Sequence, residues 1–229
     1  MAVILVAVET CGGESTSSES LVDSGKIDKA MTELGLKTAE KFNGKLDELL
    51  TLEMAAKVTE NDLNTAEKKY SKVFEDPKTH YVSYGWTNGR KHISDLGFTK
   101  IETDKPDLVQ LSWVSATSAE NFRNMYREIT EEDLQNVRDA MDSKIKEGQL
   151  DAQSAKMAKE MAEGFMSGNN SREWLDGVAD MAVWMERDKS LKVFHKGLTF
   201  SVLADVSDDN TENRNIAIAL AKLIIKEKL

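Results

Sequence analysis

Between Leu198 and Ala204 the chain reads LTFSVLA, and Leu198, Phe200, Val202 and Ala204 occupy alternate positions. A period of two puts those four apolar side chains on one face of a half-buried antiparallel strand, and that face has to be covered. A cover follows at once. Asp209 stands where a helix N-cap is needed, with Glu212 three residues on to close a capping box. Ile216, Leu220, Leu223 and Ile224 then share one helical stripe, and Lys222, Lys226 and Lys228 suit the negative end of the helix dipole. Upstream, residues 180–185 and 191–195 read as two shorter strands, and Lys196-Gly197 turns the chain into the long one. The closing block, 176–229, therefore specifies strands with a helix laid across them.

The middle of the chain repeats that grammar. Residues 109–114 (VQLSWV) form a strand, and Ser118 opens a helix through residue 129 with Phe122, Met125, Tyr126 and Ile129 on one face. Before it come a strand at 80–86, a turn centred on Asn88-Gly89, and a weaker strand within 91–101 that ends before Lys105-Pro106-Asp107. Residues 21–50 are polar and helix-prone, with Gly35 and Gly44 expected to interrupt them, and 47–58 form a firmer helix. Residues 59–74 read as a continuation of that helix, or a second one starting at Asp62, up to Asp76-Pro77. Residues 131–148 and 151–165 suggest a helical hairpin turning at Gly148, and 164–171 a polar loop. The expected fold is α+β. One antiparallel sheet of about five to six strands carries amphipathic helices, from a strand-strand-helix unit used twice, with the helical hairpin as an insertion. Residues 49–229 form a single domain, 21–48 a stalk or first helix, and 1–20 a leading segment.

That leading segment has its own composition. Residues 2–8 (AVILVAV) are an unbroken apolar run, Cys11 is the one cysteine of the 229 residues, and 12–20 (GGESTSSES) read as a flexible tether. The order apolar run, lone Cys, Gly/Ser tether resembles the start of a bacterial lipoprotein, whose cysteine receives a lipid. Two features depart from that pattern: no Lys or Arg precedes the run, and Glu9-Thr10 replace the usual small residues before the cysteine. No stretch offers the run of about 18 apolar residues that a membrane span requires. Attachment to a membrane would rest on a lipid at Cys11 alone.

A second resemblance covers residues 49–229. Gly177-Val178-Ala179-Asp180-Met181-Ala182 leads into strand, turn, strand and helix, while Leu49-Leu50-Thr51 and Tyr84-Gly85-Trp86 stand at an earlier helix start and strand. The arrangement resembles the PsbP-like α/β sandwich of small bacterial envelope lipoproteins. It implies a fold and a cell-envelope location, with no residue role carried over beyond lipidation of Cys11. A cytoplasmic location is the alternative.

Chemistry is sparse. A net charge of −10 argues against a nucleic-acid partner and against docking on an anionic membrane through a basic patch. His80, His92 and His195 lie in no metal-ligand spacing, and no nucleophile elbow, P-loop or dinucleotide-binding glycine pattern occurs. No catalytic residue, cofactor or resident metal is assigned. Asp205, Asp208 and Asp209 could offer carboxylates to calcium, although the spacing fails the EF-hand and helix capping explains the stretch. Met141, Met157, Met161, Met166, Met181 and Met185 read as adaptable packing, and Gly164-x-x-x-Gly168 sits in polar surroundings that give it no membrane role. Trp86, Trp113, Trp174 and Trp184 read chiefly as core, with one proviso: two of them on an exposed sheet face would make an aromatic binding surface. The expected function is a non-enzymatic, envelope-anchored domain binding a protein or small ligand. The alternatives are a soluble enzyme whose site comes from residues far apart in sequence, marked by a deep pocket with perturbed titratable groups, or an intracellular interaction protein.

Overall fold

A computed structural model describes residues 19–147, 153–154, 156–157 and 172–229, with side chains described from residue 25 onward except at position 134. Its centre is a fully antiparallel seven-stranded sheet in the order β1-β2-β5-β9-β8-β7-β6. The strands are β1 (Glu67–Ser71), β2 (Tyr81–Trp86), β5 (Asp107–Ala116), β6 (Arg172–Trp174), β7 (Met181–Met185), β8 (Ser190–His195) and β9 (Leu198–Asp205). The remaining pair, β3 (Lys91–Asp95) and β4 (Lys100–Asp104), forms a separate two-stranded arm between β2 and β5. The weaker strand expected within 91–101 is thus a whole hairpin.

One face of the sheet is the main core. Tyr84, Val109, Ala204 and their neighbours Leu111, Val202, Leu191 and Trp184 lie in register across five strands and are buried. The alternating residues Leu198, Phe200, Val202 and Ala204 are all buried on this side. The cover comes from short helices α2 (Leu46–Leu49) and α3 (Leu52–Thr59), and from the C-terminal helix, α6 (Asn210–Lys228), through Ala217, Leu220, Ala221 and Ile224. Asp209 caps α6 by accepting from Thr211 N–H. The expected return bond from Glu212 is replaced: Asp209's own N–H donates to Ser207 Oγ at 3.1 Å. The expected helix 47–58 is broken at Leu50-Thr51, where Thr51 caps α3 through Met54 N–H and the Tyr84 hydroxyl, buried under the helix, donates to Leu50 O at 2.9 Å.

Two expectations are corrected by packing. Residues 59–74 are not helical throughout: α3 stops at Thr59, Leu63–Thr65 makes one 3-10 turn, and Glu67–Ser71 becomes edge strand β1. Its polar EKKYS sequence suits an edge, where charges deter pairing with other chains. Residues 172–174, next to the expected loop, form the other edge. Finally, Gly35 does not interrupt α1 (Glu19–Phe42), which runs straight through it. A Cβ on Gly35 would lie 2.0 Å from Gly197 O, so the glycine is there to let the helix touch the β8–β9 turn. That turn has positive φ at both Lys196 and Gly197, the geometry of a two-residue hairpin loop. Gly44 does end its segment, at φ +75.

The two strand-strand-helix units meet at the central antiparallel pair β5·β9. Their helices do not match. Helix α4 (Ala119–Tyr126), following β5, packs Phe122 against Val183 and Phe194 on the face opposite α6. Helix α5 (Glu131–Lys146) starts at a full capping box between Thr130 and Asp133. The second arm of the expected hairpin, its turn at Gly148 and the loop 164–171 lie outside the described residues apart from short helical pieces at 153–154 and 156–157.

Candidate functional site

The face of the sheet that carries α4 is only partly roofed. Across it runs one cross-strand row: Tyr81 of β2, Ser112 of β5, Ser201 of β9, Lys192 of β8, Val183 of β7 and Trp174 of β6. Small hydroxyls occupy the middle, and Ser112 and Ser201 are buried. Lys192 therefore stands beside a low polar strip rather than in open water. Its ammonium donates to Ser201 Oγ at 2.9 Å, and among the described residues no carboxylate comes within ion-pairing distance of it. Burial holds this amine below the usual lysine value, with Asp188 pulling the other way.

Above Lys192 a cavity of about 570 Å³ opens between the sheet and α4. Phe122, Met125 and Tyr126 descend from α4, and Trp113, Ser115 and Thr117 come from the end of β5. Lys78, on the single 3-10 turn Pro77–Thr79, and Asp188, in the β7–β8 turn, are the other charged residues on its wall among those described. The aromatic side is organised: Phe122 lies 4.8 Å from Tyr126 and 5.7 Å from Phe194, ring centre to ring centre, with Trp174 edge-on at 6.3 Å. Burial pushes the Tyr126 phenol up, against an opposing pull from Arg172, so it stays neutral.

Trp113 is the unusual wall residue. The β5·β9 register shifts between Ser112 and Ser115, and Trp113 in that irregularity has φ +57. A left-handed conformation is costly for a bulky residue, and bulges commonly re-aim a side chain. Here the ring is turned out of the ladder and stands 57% exposed on the cavity rim. Of the four tryptophans, Trp86 and Trp184 are core, whereas Trp113 and Trp174 are exposed and flank α4.

The other singled-out residues lie elsewhere. Cys11, Met161, Met166 and Gly164-x-x-x-Gly168 are outside the described residues. Met181 and Met185 pack beside the Phe122 cluster, while Met157 is exposed. His80 Nε2 meets Phe74 O at 2.9 Å, His92 is exposed on the arm, and His195 faces Asp180 at 3.5 Å. Burial lowers the His195 imidazole, Asp180 notwithstanding.

The three aspartates weighed for calcium have other partners. Asp205 receives Lys189 Nζ at 2.8 Å, Arg90 Nη1 at 2.8 Å and Lys105 at 3.1 Å. Burial would raise this carboxyl, but those bonds bring it down to about 2. Asp208 joins Arg90 at 3.4 Å and Lys105 at 3.8 Å, and Asp209 is the α6 cap. A divalent ion would have to displace three cationic side chains, so the calcium reading is withdrawn. Among the described residues no group of three or more His, Cys, Asp or Glu is placed to hold a metal ion, and no helix is long and apolar enough to cross a membrane. In comparisons with known proteins, neither a family model nor a curated protein nor a solved structure matches this chain.

Proposed function

We propose that the chain is a binding domain that takes a small ligand in the cavity beneath α4 and is held at a bacterial cell envelope by a lipid on Cys11. One observation carries the ligand part: a half-buried lysine, with no ion-pair partner among the described residues, faces a roomy cavity whose wall includes a strained, exposed tryptophan. Its volume falls in the range of small-molecule sites, and its mix of aromatic wall and few convergent polar groups is the usual composition of such sites. Strained residues cluster where binding needs them. The neutral probe N-phenyl-1-naphthylamine should bind at one site per chain with a gain in fluorescence, and Trp113→Ala should weaken it. Probe binding that Trp113→Ala and Phe122→Ala both leave unchanged would put the site elsewhere.

The anchoring part rests on the order of apolar run, Cys11 and tether, and on the likeness to PsbP-like envelope lipoproteins. Intact-mass measurement on protein from the membrane fraction should show an acylated cysteine. An unmodified, uncleaved N-terminus would end that part alone. An enzyme reading would draw on the same lysine, since an amine held below its usual pKa is closer to a nucleophile. Among the described residues no histidine lines the cavity, and Asp188 is the one carboxylate on its wall. That composition offers little general acid-base machinery, which favours binding.

A further inference from the structure

Resting on that cavity, we infer the class of its ligand: a small organic monoacid, with its carboxylate on the Lys192 ammonium and a flat apolar body against Trp113, Phe122 and Tyr126. Charge sets the sign. Among the described residues Lys78 and Lys192 face the cavity against Asp188 alone, which leaves one positive charge unanswered. Lys192 has three N–H donors and spends one on Ser201, so its remaining donors are available to an acceptor in the cavity. Ser115 and Thr199, directly paired across β5 and β9, add hydroxyls on the same wall. A lone ammonium taken out of water is costly unless something pairs with it, and a ligand carboxylate would supply that pairing.

The same inventory argues against other ligands. A phosphate dianion calls for arginine forks or free backbone N–H groups at a helix start. Among the described residues no arginine lines the cavity. The first turn of α4 is already used: Ala119 N–H donates to Asp28 Oδ1 at 3.0 Å, and Asn121 N–H to Ser118 Oγ at 3.1 Å. An organic cation could stack on the aromatic wall, but it would do so beside two ammonium groups. A wholly apolar molecule would leave Lys192 drier and still unpaired.

Calorimetric titration with 2-naphthoate and with 2-naphthalenemethanol, of nearly the same size but uncharged, tests the class. The acid should bind roughly tenfold or more tighter than the alcohol, the increment of a hydrogen bond to a charged group. Lys192→Met should remove that preference, and Trp113→Ala should weaken both. Acid affinity should fall as pH rises through the lysine's titration, with the alcohol's flat. Equal affinities in the unaltered protein would overturn the monoacid class and leave the cavity reading standing, as would binding of N-phenyl-1-naphthylamine with neither naphthalene. Failure of all three probes would overturn both. The acid-to-alcohol comparison needs no variant, so a variant that fails to fold cannot mask the answer.

Discussion

Lys192 and Trp113 are both kept at an energetic cost, and that cost is measurable. Because burial lowers the folded lysine's pKa below its unfolded value of about 10.4, protonation favours the unfolded chain. The penalty is fully present below the folded pKa and fades as pH rises towards the unfolded one. Lys192→Met should therefore raise Tm by a few degrees at pH 7, an advantage that shrinks near pH 10, in thermal melts at both pH values. For Trp113 the sign of a familiar rule should invert. Glycine normally costs stability relative to alanine, but at φ +57 the alanine Cβ is penalised, by about 1–2 kcal/mol. In urea titrations Trp113→Gly should be more stable than Trp113→Ala. Lys192 did not announce itself in sequence, and Trp113 stood out only as one of four tryptophans read chiefly as core. Lys192 between Leu191 and Val193 fits an ordinary alternation with the lysine on the solvent side, and so it is placed. Only α4, brought over that side from elsewhere in the chain, turns the solvent side into a cavity. Trp113 in LSWV reads as one more strand aromatic, because the register shift that expels it depends on its partner strand.

Among elements, the joints are better specified than their sequences suggest. Arg90, at the root of the β3–β4 arm, reaches Asp107 at 2.8 Å and Asp205 at 2.8 Å, and donates to Pro106 O and Asp205 O besides. It ties the arm to the ends of both central strands. Removing one partner of a buried charge set leaves the rest uncompensated, so Arg90→Met should cost about 3–5 kcal/mol in chemical denaturation. Asp205 gives the network a pH signature. Its folded pKa, about 2, lies below its unfolded value, so its contribution is complete above the ordinary carboxylate pKa and is lost as pH falls towards 2. A stability difference between the native chain and Asp205→Asn should vanish across that acid window. At the other end, Gly35 and Gly197 let α1 lie on a turn. A Cβ on Gly197 would sit 1.8 Å from Met31 O, in a φ +79 conformation besides, so Gly197→Ala should destabilise by at least about 1–3 kcal/mol. The Lys196-Gly197 hairpin turn was legible, since a glycine between two alternating runs is a turn signal. The helix resting on it was not: Gly35 looks like a breaker until its distant partner is known.

For the molecule as a whole, the sheet was legible where one face is apolar and obscure where neither is. Strands β8 and β9 declare themselves through buried alternation, and their α6 cover through its stripe. Strand β1 has one face of Glu67 and Lys69 and the other of Lys68 and Tyr70, so only pairing with β2 makes it a strand. The unit repeated twice is visible in the order of elements, yet α4 and α6 take opposite faces, a choice made by Phe122 finding Val183 and Phe194. The β3–β4 arm stands outside the main sheet, with Phe98 at its tip 87% exposed. Replacing residues 91–104 by a short turn that keeps Arg90 and Lys105 should leave the fold intact, with near-unchanged far-ultraviolet dichroism of the remaining sheet and a Tm shift of a few degrees. The glycine contact under α1 reaches furthest. Because the helix is seated on the β8–β9 turn and Asp28 holds the start of α4, the point where the chain enters the domain is fixed beside Thr117 and the cavity rim. From Cys11 to Asp28 the path is at most about 40 Å, eight extended residues and nine helical ones. A lipid on Cys11 would then act as a short leash clipped next to the doorway.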